Sequence, residues 1–169
     1  MTKTSDNLFA LFAQNFPADP GAPLLRTAAG KKYSYADALD ESARMARYLQ
    51  DLGLCPGDRV TVQVEKSPCV VWLYLACLRG GFVFHPLNTD YKADELRFFV
   101  ENAEPSIVVC DPAYEELFQH LTRDKPCTIL TLDAQGEGRL HAACRKILPE
   151  FQDYRAKATD TAVLLYSSG

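Results

Sequence analysis

The fold is decided by residues 59–87, RVTVQVEKSPCVVWLYLACLRGGFVFHPL. Valines alternate with other residues over positions 60–64, which predicts a strand. Ser67-Pro68 is typical of a helix start, and the helix that follows is apolar nearly all round, so it should be buried. Gly80-Gly81 breaks this helix before a second strand at residues 82–84. The stretch therefore predicts a strand–helix–strand unit.

Helices and strands continue to alternate on both sides of this unit. Ser34 and Asp37 form the pattern of a capping box at the start of a long helix, which Gly53 closes. The other predicted elements are a helix at 7–16, a hairpin at 24–33, a helix with Leu96, Phe99, Val100 and Ala103 on its inward face, strands at 107–110, 128–132 and 162–166, a helix after Asp111-Pro112 and a helix at 140–148. This order predicts an α/β fold with a mixed or parallel sheet flanked by helices.

Composition excludes several classes of protein. The formal net charge is -4 and the pI about 5.4, which argues against a nucleic-acid partner. The longest apolar stretch, residues 69–78, is too short to span a membrane. Residues 1–16 lack the features of a secretory signal, and the first arginine is Arg26, which disfavours a mitochondrial transit peptide. We expect a cytoplasmic protein with no membrane span.

Cysteine spacing gives no sign of a metal or redox site. The six residues are Cys55, Cys69, Cys77, Cys110, Cys127 and Cys144, and no two of them form a C-x-x-C pair. Such sites need close pairs, because two ligands must converge from one turn. We therefore predict reduced, mostly buried thiols, with no metal ligand and no catalytic cysteine among them.

The last residues carry the chemical signal. An apolar strand predicted at 162–166 leads into Ser167-Ser168-Gly169. In α/β proteins such a strand can deliver a Ser/Gly-rich loop whose backbone N–H groups bind phosphate at the carboxyl edge of the sheet. Taken alone, the same residues also fit an ordinary turn. They are not a P-loop of the G-x-x-x-x-G-K-[ST] type.

Three motifs together resemble the adenylate-forming (AMP-binding) acyl-CoA synthetase superfamily. Residues 33–39, YSYADAL, resemble its Y-x-E-L signature, and residues 78–87, LRGGFVFHPL, resemble L-K-A-G-x-x-Y-V-P-L. Tyr166-Ser167-Ser168-Gly169 matches the start of Y-[ST]-S-G-T-T-G-x-P-K-G, the loop that cradles ATP phosphates. The motifs occur in the order typical of the superfamily.

Further segments resemble its malonyl-CoA synthetase branch. They are Glu65-Lys66-Ser67, residues 73–76, Pro86-Leu87-Asn88-Thr89, Tyr91, Glu95-Leu96, Ala103-Glu104-Pro105 and residues 108–112. Two positions depart from that branch: His85 replaces an aliphatic residue and Gly80 a common alanine. We expect His85 to be structural, because its neighbours in the sequence supply no carboxylate partner.

The resemblance implies an acid–thiol ligase of fatty acid metabolism that uses ATP, Mg²⁺ and coenzyme A to convert malonate to malonyl-CoA through an acyl-adenylate. It assigns ATP-phosphate binding to Ser167, Ser168 and Gly169, and no catalytic residue or metal ligand to this chain. It implies that residues 1–169 are an incomplete N-terminal AMP-binding domain, truncated within the phosphate-binding loop. The rest of the loop, the magnesium-binding glutamate, the ribose-binding aspartate and a C-terminal lysine would lie in the remainder of the protein.

The expected partners are a small carboxylate, ATP, coenzyme A and that remainder, and the 169 residues alone are expected to be inactive. Two alternatives stay open. One is another short- or medium-chain acyl-CoA synthetase. The other is a non-catalytic truncated homologue that acts through protein–protein contact.

Overall fold

Four parallel strands form the central sheet in a computed structural model that describes residues 6–166. The helices are α1 (Leu8–Ala13), α2 (Tyr35–Asp51), α3 (Pro68–Gly80), α4 (Ala93–Ala103), α5 (Glu115–Leu121) and α6 (Arg139–Cys144). The strands are β1 (Pro23–Arg26), β2 (Lys32–Ser34), β3 (Arg59–Gln63), β4 (Val83–Pro86), β5 (Ile107–Cys110) and β6 (Thr128–Thr131). A short 3₁₀ helix, Pro112–Tyr114, precedes α5. The α/β class predicted from the sequence is confirmed.

The order of strands in the sheet is β4-β3-β5-β6, and β1 and β2 form a separate antiparallel hairpin. Helices α2, α3 and α6 pack on one face of the sheet, and α4 and α5 pack on the other. From β3 the chain first moves outward to β4 and then returns to β5 on the opposite side of β3. This reversal creates a switch point at the carboxyl ends of β3 and β5, where α/β proteins commonly bind ligands.

Strand β3 is buried on both faces. Its valines Val60 and Val62 are buried, and Thr61 and Gln63 are also only 0% and 1% exposed. Central strands of parallel sheets are covered by helices on both sides, so the alternation of apolar residues does not mark a solvent-facing side here.

The ends of α2 and α3 follow the sequence with one exception. Ser34 and Asp37 form the predicted capping box, and Gly81 ends α3 in the left-handed conformation with φ 71°. Pro68 is the first residue of α3, but Ser67 makes no capping hydrogen bond and its hydroxyl is buried without a partner. Ser67 is therefore the N-cap residue by position, as predicted, but its side chain makes no hydrogen bond to the helix.

Two C-terminal elements are shorter than predicted. Helix α6 ends at Cys144, whereas the sequence predicted a helix over 140–148. Residues 162–166, predicted as a strand, form one isolated parallel bridge between Val163 and Phe84. A strand in a sheet needs several successive backbone hydrogen bonds to the strand beside it. The only neighbour of residues 162–166 in the sheet is the outer edge of β4, which is four residues long.

All six cysteines lie among the described residues, and all are unpaired. Four are buried, Cys127 is half-buried and Cys55 is exposed. Burial raises the pKa of Cys69 to about 11 and that of Cys110 to about 12, so these thiols stay protonated at neutral pH. Within residues 6–166, none of the helices has the length and apolar character needed to cross a membrane.

Candidate active site

The carboxyl ends of the parallel strands meet at one edge of the sheet. Backbone N–H groups of the following loops continue the ladders there: Leu87 donates to the Val62 carbonyl at 2.8 Å, and Asp111 donates to the Gln63 carbonyl at 3.2 Å. The loops after β3, β4 and β5 are thus held side by side. This edge is the candidate site.

The last described residues reach the same edge. Phe84 N–H donates to the Ala162 carbonyl and Leu164 N–H donates to the Phe84 carbonyl, both at 3.0 Å. Because this bridge is parallel, the chain leaves it in the direction of the carboxyl ends of β3 to β6. Tyr166 therefore lies at the edge where a phosphate-binding loop is expected.

The three residues predicted to bind ATP phosphates, Ser167, Ser168 and Gly169, lie outside the described residues. Tyr166, which is bonded directly to Ser167, lies within them.

Tyr166 rests on side chains from β4 and α4, which we call the aromatic shelf: His85, Phe98, Phe99 and Asn102. Its ring centroid lies 4.8 Å from that of Phe99, 5.4 Å from that of His85 and 6.2 Å from that of Phe98. Its hydroxyl donates a 2.5 Å hydrogen bond to Asn102 Oδ1. The chain up to Tyr166 is therefore held by both backbone and side-chain contacts.

Beneath Tyr166, His85 is fully buried. Its Nδ1 lies 2.8 Å from Thr61 Oγ1, and its Nε2 is buried without a hydrogen-bond partner. Burial lowers the pKa of His85 to about 4, so the ring is neutral at physiological pH. The geometry agrees with the structural role predicted from the sequence.

We expect acidification to destabilise the fold through His85. Its pKa is about 4 when folded and 6.5 ordinarily, so near pH 5 the unfolded chain binds a proton that the folded chain does not. The stabilising contribution is complete above pH 6.5 and is lost as the pH falls towards 4. This difference in pKa corresponds to a loss of unfolding free energy on the order of 3 kcal/mol at low pH. Urea unfolding measured between pH 4 and 7 should show that the free energy of unfolding falls more steeply with decreasing pH for the wild type than for His85→Leu. Equal pH dependence in the two proteins would contradict this prediction.

Gln63 fixes the loop between β4 and α4. Its Nε2 donates to the carbonyl oxygens of Asn88 and Tyr91 at 3.1 and 3.3 Å, and the Tyr91 ring stacks on Phe99 at 4.9 Å. Sequence reasoning missed Gln63 and Asn102, because a single polar residue carries no signal of its distant partner. The only available hint was the position of Gln63 at the end of a predicted strand.

One concavity among the described residues lies elsewhere. It has a volume of about 890 Å³, and its lining includes Arg47, Gly80, Phe82 and Tyr154. Gly80 and Phe82 precede β4, so the concavity opens at the amino ends of the strands. Ligands of α/β sheets bind at the carboxyl ends, and this concavity is therefore not a candidate for the phosphate site.

No metal ligand is assigned among the described residues. Within residues 6–166, no group of three or more His, Cys, Asp and Glu side chains is arranged to hold a metal ion. Magnesium is usually held by one or two carboxylates together with phosphate oxygens, and the resemblance places the relevant glutamate after Gly169. No chemical step is therefore assigned to a metal held by this part of the chain.

Solved structures of MatB from Rhodopseudomonas palustris share this fold. The apo form is 39% identical with a TM-score of 0.93, and the ATP-bound form is 40% identical with a TM-score of 0.94. Each similarity covers 98% of this chain and 33% of the MatB chain. A dimodular nonribosomal peptide synthase of Bacillus subtilis is 28% identical over 136 residues, which are 80% of this chain and 6% of the synthase.

The chain thus spans about a third of the MatB structures and a small part of the peptide synthase. The family described as AMP-binding enzyme matches residues 12–169, which is nearly the whole chain. With this fold and this match over residues 12–169, the chain belongs to the AMP-binding enzyme family.

Proposed function

We propose that the full-length protein containing this chain is an ATP-dependent, AMP-forming malonyl-CoA synthetase. The observation that carries the proposal is the 39–40% identity to MatB over 98% of the chain. The segments that resemble the malonyl-CoA synthetase branch support the same substrate. A cytoplasmic location and a role in fatty acid metabolism are part of this proposal.

The proposed chemistry has two steps. A malonate carboxylate oxygen attacks the α-phosphorus of ATP, and the bond from that phosphorus to the pyrophosphate oxygen breaks, which gives malonyl-AMP and pyrophosphate. The sulfur of coenzyme A, after losing its proton, then attacks the acyl carbon, and AMP leaves with the bridging oxygen. Donors that are already oriented towards the phosphates stabilise the charge that develops in the first step.

We assign the first part of the phosphate-binding loop to Ser167, Ser168 and Gly169. Two hydroxyls and closely spaced backbone N–H groups suit an anionic triphosphate, and glycine lets the main chain approach it. MatB, one of the similar structures, has been solved with ATP bound, which supports ATP as the nucleotide. Residues 1–169 would then be the first part of the AMP-binding domain.

Substrate profiling of the full-length protein tests the proposal. Release of AMP and pyrophosphate should be measured with malonate, acetate, octanoate and a set of amino acids, each with and without coenzyme A. We expect the highest kcat/KM for malonate and AMP release that depends on coenzyme A. Preference for octanoate or longer acids would show instead another acyl-CoA synthetase.

A second candidate is an amino-acid-activating domain. The observation that favours it is the 28% identity to the nonribosomal peptide synthase of Bacillus subtilis. In a separate exchange assay, this candidate predicts incorporation of labelled pyrophosphate into ATP with an amino acid and without coenzyme A. Such a result would replace malonate as the proposed substrate.

A further inference from the structure

We propose that Tyr166 is a positioning residue that holds the start of the triphosphate loop through the aromatic shelf. The inference rests on the proposed binding of ATP phosphates by Ser167, Ser168 and Gly169. It assigns to Tyr166, and to Asn102 through it, a role in nucleotide affinity that does not require either residue to touch ATP.

The first step of the argument is the double anchorage of the segment. Its backbone is held by the two hydrogen bonds of Phe84 to Ala162 and Leu164. The Leu165 side chain is 70% exposed and does little to hold the segment. The contacts of the Tyr166 side chain are therefore the last described ones before Ser167. Removing that side chain would leave Leu165 and Tyr166 held mainly through the hydrogen bond at Leu164.

The second step is the rigidity of the surface on which the ring lies. Phe99 is only 9% exposed and is stacked on Tyr91, whose carbonyl oxygen accepts a hydrogen bond from the buried amide of Gln63. Asn102 lies three residues after Phe99 on α4, so both contact Tyr166 from one face of the helix. The ring is therefore connected to the centre of the sheet through packed, buried groups.

The third step is the consequence for binding. A loop that presents N–H groups to phosphate binds more tightly when its conformation exists before the ligand arrives, because the cost of ordering it is already met. Loss of the Tyr166 ring should therefore weaken ATP binding while leaving the carboxylate and coenzyme A sites unchanged.

The experiment compares Tyr166→Leu, Asn102→Ala and Tyr74→Leu in the full-length protein. Tyr74 is a matched control, because it is also half-buried and its ring packs on Phe84, next to His85 but on the opposite face of the sheet. Titration calorimetry with Mg-ATP gives the dissociation constant, and steady-state assays give kcat and each KM. For Tyr166→Leu we expect at least about a tenfold rise in the dissociation constant and KM for ATP. Asn102→Ala should cause a smaller rise, and Tyr74→Leu none.

Equal ATP affinity in Tyr166→Leu and the wild type would overturn the inference. The inference would also be overturned if Tyr74→Leu lost as much ATP affinity as Tyr166→Leu and the melting temperatures of the two variants fell by a similar amount. The loss of affinity would then reflect general destabilisation of the fold. If the wild type binds ATP but does not activate malonate, the proposed substrate is refuted. The calorimetric comparison of ATP affinity would then still test the role of Tyr166. Absence of ATP binding in the wild type would refute both.

Discussion

Replacement of Gly81 by valine is expected to lower the free energy of unfolding by about 3–5 kcal/mol, because strain and overpacking act together. Gly81 ends α3 with φ 71°, a conformation that β-branched residues rarely adopt. A Cβ atom there would lie 2.3 Å from Tyr154 Cδ1 and 2.9 Å from Tyr154 Cε1. Urea denaturation at neutral pH measures the change as a shift of the midpoint.

Gly57→Val is the matched control for this prediction. Gly57 also has a positive φ of 93°, but a Cβ atom there would meet no atom within 4 Å. Its replacement should lower the free energy of unfolding only by the cost of holding valine in the left-handed conformation, about 1–2 kcal/mol. An equal loss in the two variants would show that the Tyr154 ring yields without cost.

Replacement of Arg79 by methionine is expected to lower the free energy of unfolding by about 3–4 kcal/mol, since it breaks a largely buried ionic network. The Nε of Arg79 lies 2.6 Å from Asp153 Oδ1, and its Nη1 donates to the Leu39 carbonyl at 2.8 Å and to Ser42 Oγ at 3.0 Å. The guanidinium also lies 4.7 Å from the centre of the Phe9 ring. One side chain thus joins α1, α2 and the segment around residue 153 to the end of α3.

The control for Arg79 is Arg47→Met. Arg47 pairs with Asp51 at 2.8 Å, but both side chains are about half exposed, at 53% and 51%. Exposed pairs of this kind contribute only about 0.3–0.5 kcal/mol. Chemical denaturation of both variants under one set of conditions gives the comparison. A loss for Arg79→Met no larger than for Arg47→Met would contradict the role given to the network.

Arg79 also shows why sequence reasoning identified the elements better than their contacts. The Gly80-Gly81 pair that follows Arg79 correctly indicated the end of α3. Its partner Asp153 is 74 residues away, in a segment for which no element was predicted. A local pattern reports which face of a helix is apolar but not which distant group packs against it.

The candidate site was predictable to a similar extent. The apolar segment before Ser167 and the superfamily motifs predicted the position of the phosphate-binding loop, and the path of residues 162–166 to the carboxyl edge agrees with it. The contacts of Tyr166 with Asn102 and His85 could not be predicted, because they join residues 64 and 81 positions apart in the chain. For the same reason, the stacking of Tyr91 on Phe99 and its support by Gln63 became visible only in three dimensions.

The sequence by itself determined the α/β class, the capping box at Ser34, the end of α3 at Gly80-Gly81 and the resemblance to adenylate-forming enzymes. Each of these features can be read from short segments, because periodicity, backbone preference and motif residues act locally within each segment. The tertiary structure alone decided the strand order, the burial of Thr61 and the lack of a hydrogen-bond partner for the Ser67 hydroxyl. It also decided that residues 162–166 form a single β-bridge instead of a strand. Each of these depends on which helix or strand lies alongside, and that choice is made by packing over the whole domain.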